Sequence, residues 1–454
     1  MADILVKALR DTLQLGAQQS SKLRPLDDQM RGIFEAPFYP SDGHTTVERE
    51  YRQLVTRAEL PMLSMIVRAV VDRLLVDGIT VGGDPEEQYW DWWQSSRLDA
   101  RQSQIYADAL TYGDGYLVVT PGENGPVFTP ESPMVLAVQN SPYDPMATQV
   151  AAKQIGEDRA WLYTDEAIYA FERERSPQQW RVVAETPHAA GVCPVVRFPN
   201  RLDSAGRSMS EVLEVLPIQR RINQTIMTRL LLEASAAWRQ RWVAGIDVDN
   251  DADGNAIPPF RMGVDKLLVA PDSDTTFGEF SESSTQDLMA AVEQDLRHIA
   301  VCTQTPPTLF AVTSISNISS ESLAALEGGL TRKVGVKQSN FGESLEYAMR
   351  IGGAMVGVTV PDGLEMSWKD LEISSVSQRS NAYVQLRGSG LPVEYLAETV
   401  LNLTPQSIER LKAQLAQEIA DGTSPMLRTE NAPVAGQIPQ SGEPFTRGNQ
   451  GRVN

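Results

Sequence analysis

Residues 283–302, SSTQDLMAAVEQDLRHIAVC, with a helix expected from about Gln286 to Cys302, are followed by TQTPPTLFAVTSISNISS at 303–320 and ESLAALEGGLTRKVGVKQSNFGESLEYAMRIGG at 321–353. The stretch reads as a helix, a polar loop and a longer helix interrupted by glycines. In the first helix Leu288, Val292, Leu296 and Ile299 recur at three- and four-residue intervals and share one face. Pro306 and Pro307 stop it, since proline has no N–H to continue the ladder. Thr313 to Ser320 is small and polar, with no run long enough to pack a core. Ser319 or Ser320 then caps a helix whose stripe is Leu323, Leu326, Leu330 and Val334. Gly328, Gly329 and Gly335 fall inside that pattern. Each costs about 1 kcal/mol against alanine, which predicts a bend or a close packing contact there. Taken alone, the stretch reads first as a helical hairpin in an ordinary core.

On its N-terminal side a second long helix is expected from about Ser210 to Ala237, with Ser208 or Ser210 as cap and Val215, Ile218, Ile222, Ile226 and Leu230 as stripe. Pro217 predicts a kink or a separate first piece. Between the two helices Ile257 to Phe280 reads as a short β-type insert. The acidic run Asp247 to Asn255 looks like a calcium loop, but Pro258 stands where the closing glutamate is needed.

Further out, residues 1 to about 45 mix short helical patterns with an irregular, proline-containing segment. Helices are expected from Thr45 toward Glu59, from Pro61 to a stop at Asp77-Gly78, and from Asp99 to about Thr111. Trp90, Trp92 and Trp93 read as core anchors rather than a base-stacking platform. Strands are expected at Ile79–Val81 and Tyr116–Thr120. A meander with one buried face follows, from Val135–Val138 through Thr148–Ile155, Ala160–Thr164, Ala167–Phe171 and Trp180–Val183 to Val195–Phe198. After Gly353, strands at Val358–Val360 and Glu365–Trp368 rejoin this domain, and three helices occupy 378–386, 392–402 and 405–421. Residues 422–454 have the composition of a disordered tail.

The 454 residues carry a net charge of −19, which argues against a basic face gripping DNA. An acidic wall instead lets a phosphate polymer pass without sticking, and acidity also simply aids solubility. No apolar run approaches the ~18 residues of a membrane span, and no signal peptide is indicated. Cys193 and Cys302 read as two buried free thiols in a reducing compartment. The three histidines are scattered, and no metal, nucleophile or phosphate-loop motif occurs, so neither cofactor nor catalytic residue is assigned.

In order along the chain, Pro61–Gly78 (PMLSMIVRAVVDRLLVDG), Trp90–Gly115, Gly206–Gly245, Thr305–Gly342 with NISSESL at 317–323, Met366–Asp370 (MSWKD) and the helices from Gln378 form a collinear set. This set resembles the portal, or head-to-tail connector, proteins of long-tailed bacteriophages of the actinobacteriophage type. The resemblance implies an α+β portal fold. A β-containing wing would be 1–205, completed by 354–377. Stem helices would be 206–240 and 283–304, with a small clip at 241–282. The tunnel loop would be 306–318, the long kinked helix 319–353, the helical crown 378–421 and the disordered tail 422–454.

The resemblance further implies a homo-oligomeric ring, usually of twelve copies, at a capsid vertex of the virion, assembled in the host cytoplasm. Double-stranded DNA would pass through it non-specifically during packaging and ejection. Partners would be the major capsid protein, the terminase packaging motor and then a head-completion or adaptor protein, with no membrane. The tunnel-loop candidates are Thr313, Ser314, Ile315, Ser316 and Asn317, which can meet DNA without strong ion pairs. Asp287, Glu293 and Asp295 are candidates for an acidic channel lining. Arg332, Lys333 and Lys337 are candidates for phosphate or inter-subunit contacts, or for a solvated face. The rivals are a virion or scaffold-like protein without a channel, and a DNA-processing enzyme that would need a metal or nucleotide.

Overall fold

The computed structural model describes residues 2–33, 52–173, 179–237, 241–244, 276–279, 285–310, 320–369, 376–390, 392–401, 403 and 405–421. The chain divides into two units, Met1–Ile373 and Ser374–Asn454.

The first unit opens with α1 (Ala2–Met30), one 29-residue helix where short helical pieces were expected. Residues 52–57 are helical. There follow α2 (Met62–Val71), β1 (Val76–Val81), β2 (Asp84–Pro85), α3 (Glu87–Ser95) and α4 (Leu98–Tyr112). The strands β3 (Asp114–Gly122), β4 (Gly125–Glu131), β5 (Leu136–Asn140), β6 (Thr148–Ile155), β7 (Arg159–Tyr163), β8 (Ala167–Arg173), β9 (Trp180–Pro187) and β10 (Val195–Pro199) come next. Then come α5 (Leu216–Ala237), β11 (Arg241–Ala244), β12 (Thr276–Glu279), α6 (Gln286–Thr303), α7 (Ser320–Val356) and β13 (Leu364–Trp368).

The expected meander is a five-stranded antiparallel sheet in the order β5-β6-β7-β8-β9. The sequence predicted one buried face, but both are covered. Leu136, Val138, Ala151 and Tyr163 meet Tyr116, Val118 and Val195 on one side. Ala152, Ala160, Leu162 and Phe171 meet Leu9 of α1 on the other. Small residues make the second face flat, and Gly16 lets the helix come close: a Cβ there would overlap the Cβ of Ala137.

A second sheet, β10-β3-β4, and a third, β13-β1-β2, frame the main core. Strand β13 returns antiparallel to β1, with Ile79 opposite Met366, as expected of the 365–368 segment. The 358–360 segment is not a strand. Gly357, at φ +75°, ends α7, and the Val358 N–H donates to the Gly353 carbonyl at 2.8 Å. Asp77-Gly78 does not stop a helix but lies within β1, beside a pairing irregularity. There the Val76 N–H donates to the Gln102 side chain at 2.9 Å, so the strand starts earlier than the turn-like dipeptide indicated.

Trp92 and Trp93 are buried, and Trp93 Nε1 donates to Asp99 Oδ1 at 2.7 Å, which makes them core anchors. Phe341 of α7 is fully buried and stacks on Tyr106 of α4 with ring centroids 5.2 Å apart. Leu330, Val334 and Leu345 of α7 join the same core. The helix is continuous through its glycines. At Gly328, Gly329 and Gly335 no described atom lies within 4 Å of an added Cβ. The close approaches are at Gly352, against Pro126, and at Gly353, against the Val358 carbonyl.

Ser210 caps as expected: its Oγ accepts from the N–H groups of Val212 (3.2 Å) and Leu213 (3.1 Å). A 3-10 turn, Leu213–Val215, leads into α5, so the α-helix begins at Leu216 and not at Ser210. Pro217 thus sits in the first turn of α5, where a missing N–H costs no hydrogen bond, and the 3-10 turn is the separate first piece expected there. Between the long helices β11 and β12 form an antiparallel pair, with Arg241 opposite Glu279, and the rest of the expected β-type insert lies outside the described residues. The acidic run 247–255 and the tail 422–454 lie outside the described residues. Cys193 is buried, whereas Cys302 is exposed at the end of α6, against expectation.

The second unit contains the three expected helices, α8 (Val376–Gly388), α9 (Val393–Thr399) and α10 (Pro405–Ala420). Leu396 and Ala397 of α9 are buried, while Leu411, Leu415 and Ile419 form an exposed stripe on α10.

Candidate functional site

The candidate loop residues Thr313, Ser314, Ile315, Ser316 and Asn317 lie outside the described residues. What the structure describes is how the chain enters and leaves that segment. On the N-terminal side α6 ends at Gln304, whose φ of +52° turns the chain out of the helix. Thr303 Oγ1 donates to the Ile299 carbonyl at 2.8 Å and lies 2.9 Å from Thr305 Oγ1. A 3-10 turn, Pro307–Phe310, follows, with Phe310 buried. On the C-terminal side the chain resumes directly as α7.

Helices α5 and α6 run antiparallel, because Arg221 meets Asp295 while Arg229, further along α5, meets Met289, further back on α6. This geometry separates the three acidic candidates. Glu293 and Asp295 lie about 240° and 80° round the helix from Asp287, at roughly 100° per residue. Asp287 and Glu293 are exposed, and Glu293 faces Arg297 at 3.7 Å. Asp295 is only 8% exposed and accepts the Arg221 Nε at 2.8 Å. It is thus buried in the joint between the two helices, whereas the other two are exposed and about 120° apart on α6.

The basic candidates divide in the same way. Arg332 is exposed. Lys333 and Lys337, one turn apart on α7, point into the chain. Lys333 Nζ donates to Glu211 Oε1 at 2.9 Å and to the Thr303 carbonyl. Lys337 Nζ donates to the Asn200 carbonyl at 2.9 Å and lies 3.8 Å from Glu211 Oε2. Neither is a solvated phosphate-contacting group, since both ammonium groups are occupied within the chain.

The physical logic of this joint is direct. The Thr303 carbonyl belongs to the last turn of α6, where carbonyls lack helical partners and the dipole favours a cation. Lys333 supplies it. Burial raises the Glu211 carboxyl, but the two ammonium groups outweigh that and hold it below the usual glutamate range. Burial draws Lys337 downward, against the pull of Glu211. One cluster thus joins strand β10, the start of α5, the end of α6 and the middle of α7.

A second buried pair braces the approach to α5. Arg197, 3% exposed, grips Asp114 through Nε (2.8 Å) and Nη2 (3.1 Å), and Ser208 Oγ donates to Asp114 Oδ2 at 2.6 Å. Sequence reasoning missed Asp114, Arg197, Asn200 and Glu211. Their partners lie up to 137 residues away, and no periodicity records such pairing. Among the described residues no group of histidine, cysteine or carboxylate side chains could hold a metal ion.

Two long antiparallel helices and a third are thus locked to a β-rich body. Residues 22–421 match the family described as Phage portal protein, SPP1 Gp6-like, and the chain belongs to that family. The portal protein of Mycobacterium phage L5 is 28% identical over 393 residues, which cover 79% of this chain and 78% of the relative. That of Mycobacterium phage D29 is 26% identical over 388 residues, with 79% and 78% covered. Among solved structures, a chain from the virion of a native gene transfer agent (GTA) particle has a TM-score of 0.47 at 13% identity, covering 84% of this chain and 99% of that chain. A chain from the neck of the native GTA particle computed with C12 symmetry has a TM-score of 0.43 at 13% identity, with 82% and 97% covered.

The function is accordingly that of a phage portal protein at a capsid vertex, the passage for packaged and ejected DNA. The family is a structural one, and its members form part of the virion. Among the described residues no helix is long and apolar enough to cross a membrane.

Proposed function

We propose that this chain closes into a ring of about twelve copies, with α5 and α6 as stem helices around a channel for double-stranded DNA. In this reading 1–205 and 354–377 form the wing, 241–282 the clip, 306–318 the tunnel loop and 378–421 the crown. The observation that carries it is the joint at Lys333. The helices on either side of 311–319 are tied to each other, since Lys333 of α7 donates to the Thr303 carbonyl at the end of α6. A short polar segment between two helices fixed to each other suits a constriction in a channel. Its Thr313, Ser314, Ser316 and Asn317 offer neutral hydrogen-bonding groups, which meet a sliding phosphate backbone without trapping it.

The packaging motor would dock at the clip during filling and a head-completion protein afterwards, while the wing would meet the capsid protein. Asp287 and Glu293 remain candidates for an acidic lining, and Arg332 for contact with a neighbouring copy or with phosphate. Deleting Thr313–Asn317 tests the reading. Rings should still form, while DNA packaging or retention fails. Loss of ring assembly would contradict the loop assignment.

A further inference from the structure

Beside the second half of α1 lies a cavity of about 400 Å³. Leu23 and Leu26 of α1, Pro133, Met209 and Leu213 form its apolar walls. Its charged lining is Lys22, Asp114 and Glu214. Asp114 is already satisfied within the chain, because Arg197 grips it through two nitrogens and Ser208 donates to it. Glu214 lies 3.3 Å from Arg201. Lys22 is exposed and forms no ion pair among the described residues. Two phenols complete the lining. Tyr112 Oη donates to Asp27 at 2.7 Å, whereas Tyr116 is only 6% exposed and its Oη makes no hydrogen bond among the described residues. A buried hydroxyl and a cation without partners call for an acceptor that carries negative charge. The complement of this cavity is therefore an apolar side chain with a carboxylate next to it.

Among the described residues the most exposed large apolar side chains are Tyr143, Val301, Ile4 and Val384. Of these, Ile4 and Tyr143 stand next to a carboxylate, Asp3 and Asp144. Tyr143 sits beside the cavity in its own chain, since the Pro145 carbonyl accepts from Arg197, which also holds Asp114 of the lining. A knob next to its own hole pairs two copies face to face, and such a contact closes as a dimer. Ile4 is different. It lies roughly 28 Å from Leu23 along α1, at 1.5 Å per residue. A knob and a hole toward opposite ends of one helix make a head-to-tail contact, which repeats around a ring.

We propose that Asp3 and Ile4 of one copy enter this cavity in the next copy. Ile4 packs against Leu23 and Leu213, and the Asp3 carboxylate meets Lys22 and the Tyr116 hydroxyl. The contact rests on the ring reading above and names one surface through which neighbours meet.

Disulfide trapping of the full-length chain tests it. Ile4→Cys and Leu213→Cys are combined in a Cys302→Ser background, and all three side chains are exposed, so folding is not at stake. Oxidised rings should run on denaturing, non-reducing gels as a ladder of linked copies, and neither chain with a single added cysteine should give it. Lys22→Asp should raise the concentration at which half the chains are in rings by about threefold, the scale of one exposed ion pair. Asp3→Lys in the same chain should restore it. Rings that form without the ladder would overturn the contact and leave the ring reading standing, even if another occupant shields the cysteine at position 213 from maleimide. Linked pairs from Leu213→Cys alone would overturn it as a face-to-face dimer. Wild-type chains that never form rings would overturn the ring reading, and this contact with it.

Discussion

Lys333 Nζ lies 2.9 Å from Glu211 Oε1, although 122 residues separate them. The side chains are 9% and 14% exposed, so the pair is largely removed from water. Replacing Lys333 by methionine leaves Glu211 with Lys337, at 3.8 Å, and the Asn200 amide, and leaves the Thr303 carbonyl without its donor. The expected loss is about 3–5 kcal/mol, the usual cost of breaking a buried pair from one side. Chemical denaturation of the variant and the wild type measures it.

The same joint predicts an acid response. The Glu211 carboxyl is held below its ordinary value of 4.5, so its contribution is present above that value and is lost as pH falls through the lower, folded one. Glu211→Gln removes the charge and leaves two ammonium groups facing each other. It should destabilise the chain at pH 7, and the gap from wild type should narrow as pH falls below the ordinary glutamate value of 4.5 and through the lower, folded one. Urea midpoints across that range give the comparison.

The glycines of α7 should divide into two classes. A Cβ at Gly352 would meet Pro126 Cβ and Cγ at 2.9 Å and Phe128 Cζ at 3.1 Å. Gly352→Ala should therefore cost about 1–3 kcal/mol by overpacking. Gly328→Ala meets no described atom within 4 Å and should stabilise the chain by up to about 1 kcal/mol through helix propensity. Thermal melts of the two variants should move in opposite directions.

The two cysteines should react very differently. Cys302 is exposed, while Cys193 is buried, with its thiol pushed up to about 12 by burial. Maleimide labelling of the native chain should modify Cys302 alone, and both only after unfolding. Intact mass before and after denaturation distinguishes the cases.

Much of this architecture is written in short-range pattern. Val292, Leu296 and Ile299 were a stripe in the sequence and are buried in the structure. The strand at 148–155 and the cap at Ser210 follow equally from alternation and from cap chemistry. What escaped is what periodicity does not record. Gly16 reads as a helix weakener, yet it is where α1 approaches Ala137. Asp295, Lys333 and Lys337 read as surface charge, because their partners Arg221 and Glu211 lie 74 to 126 positions away, at 221 and 211. The candidate loop at 313–317 rests on the family resemblance and on its anchors, since its own residues lie outside the described set.

Averaged electron-microscopy views of the purified full-length protein test the central claim most directly. The account predicts closed rings with a central channel, near-twelvefold symmetry, and density from residues 311–319 projecting toward the axis. A closed compact oligomer without a channel would contradict it.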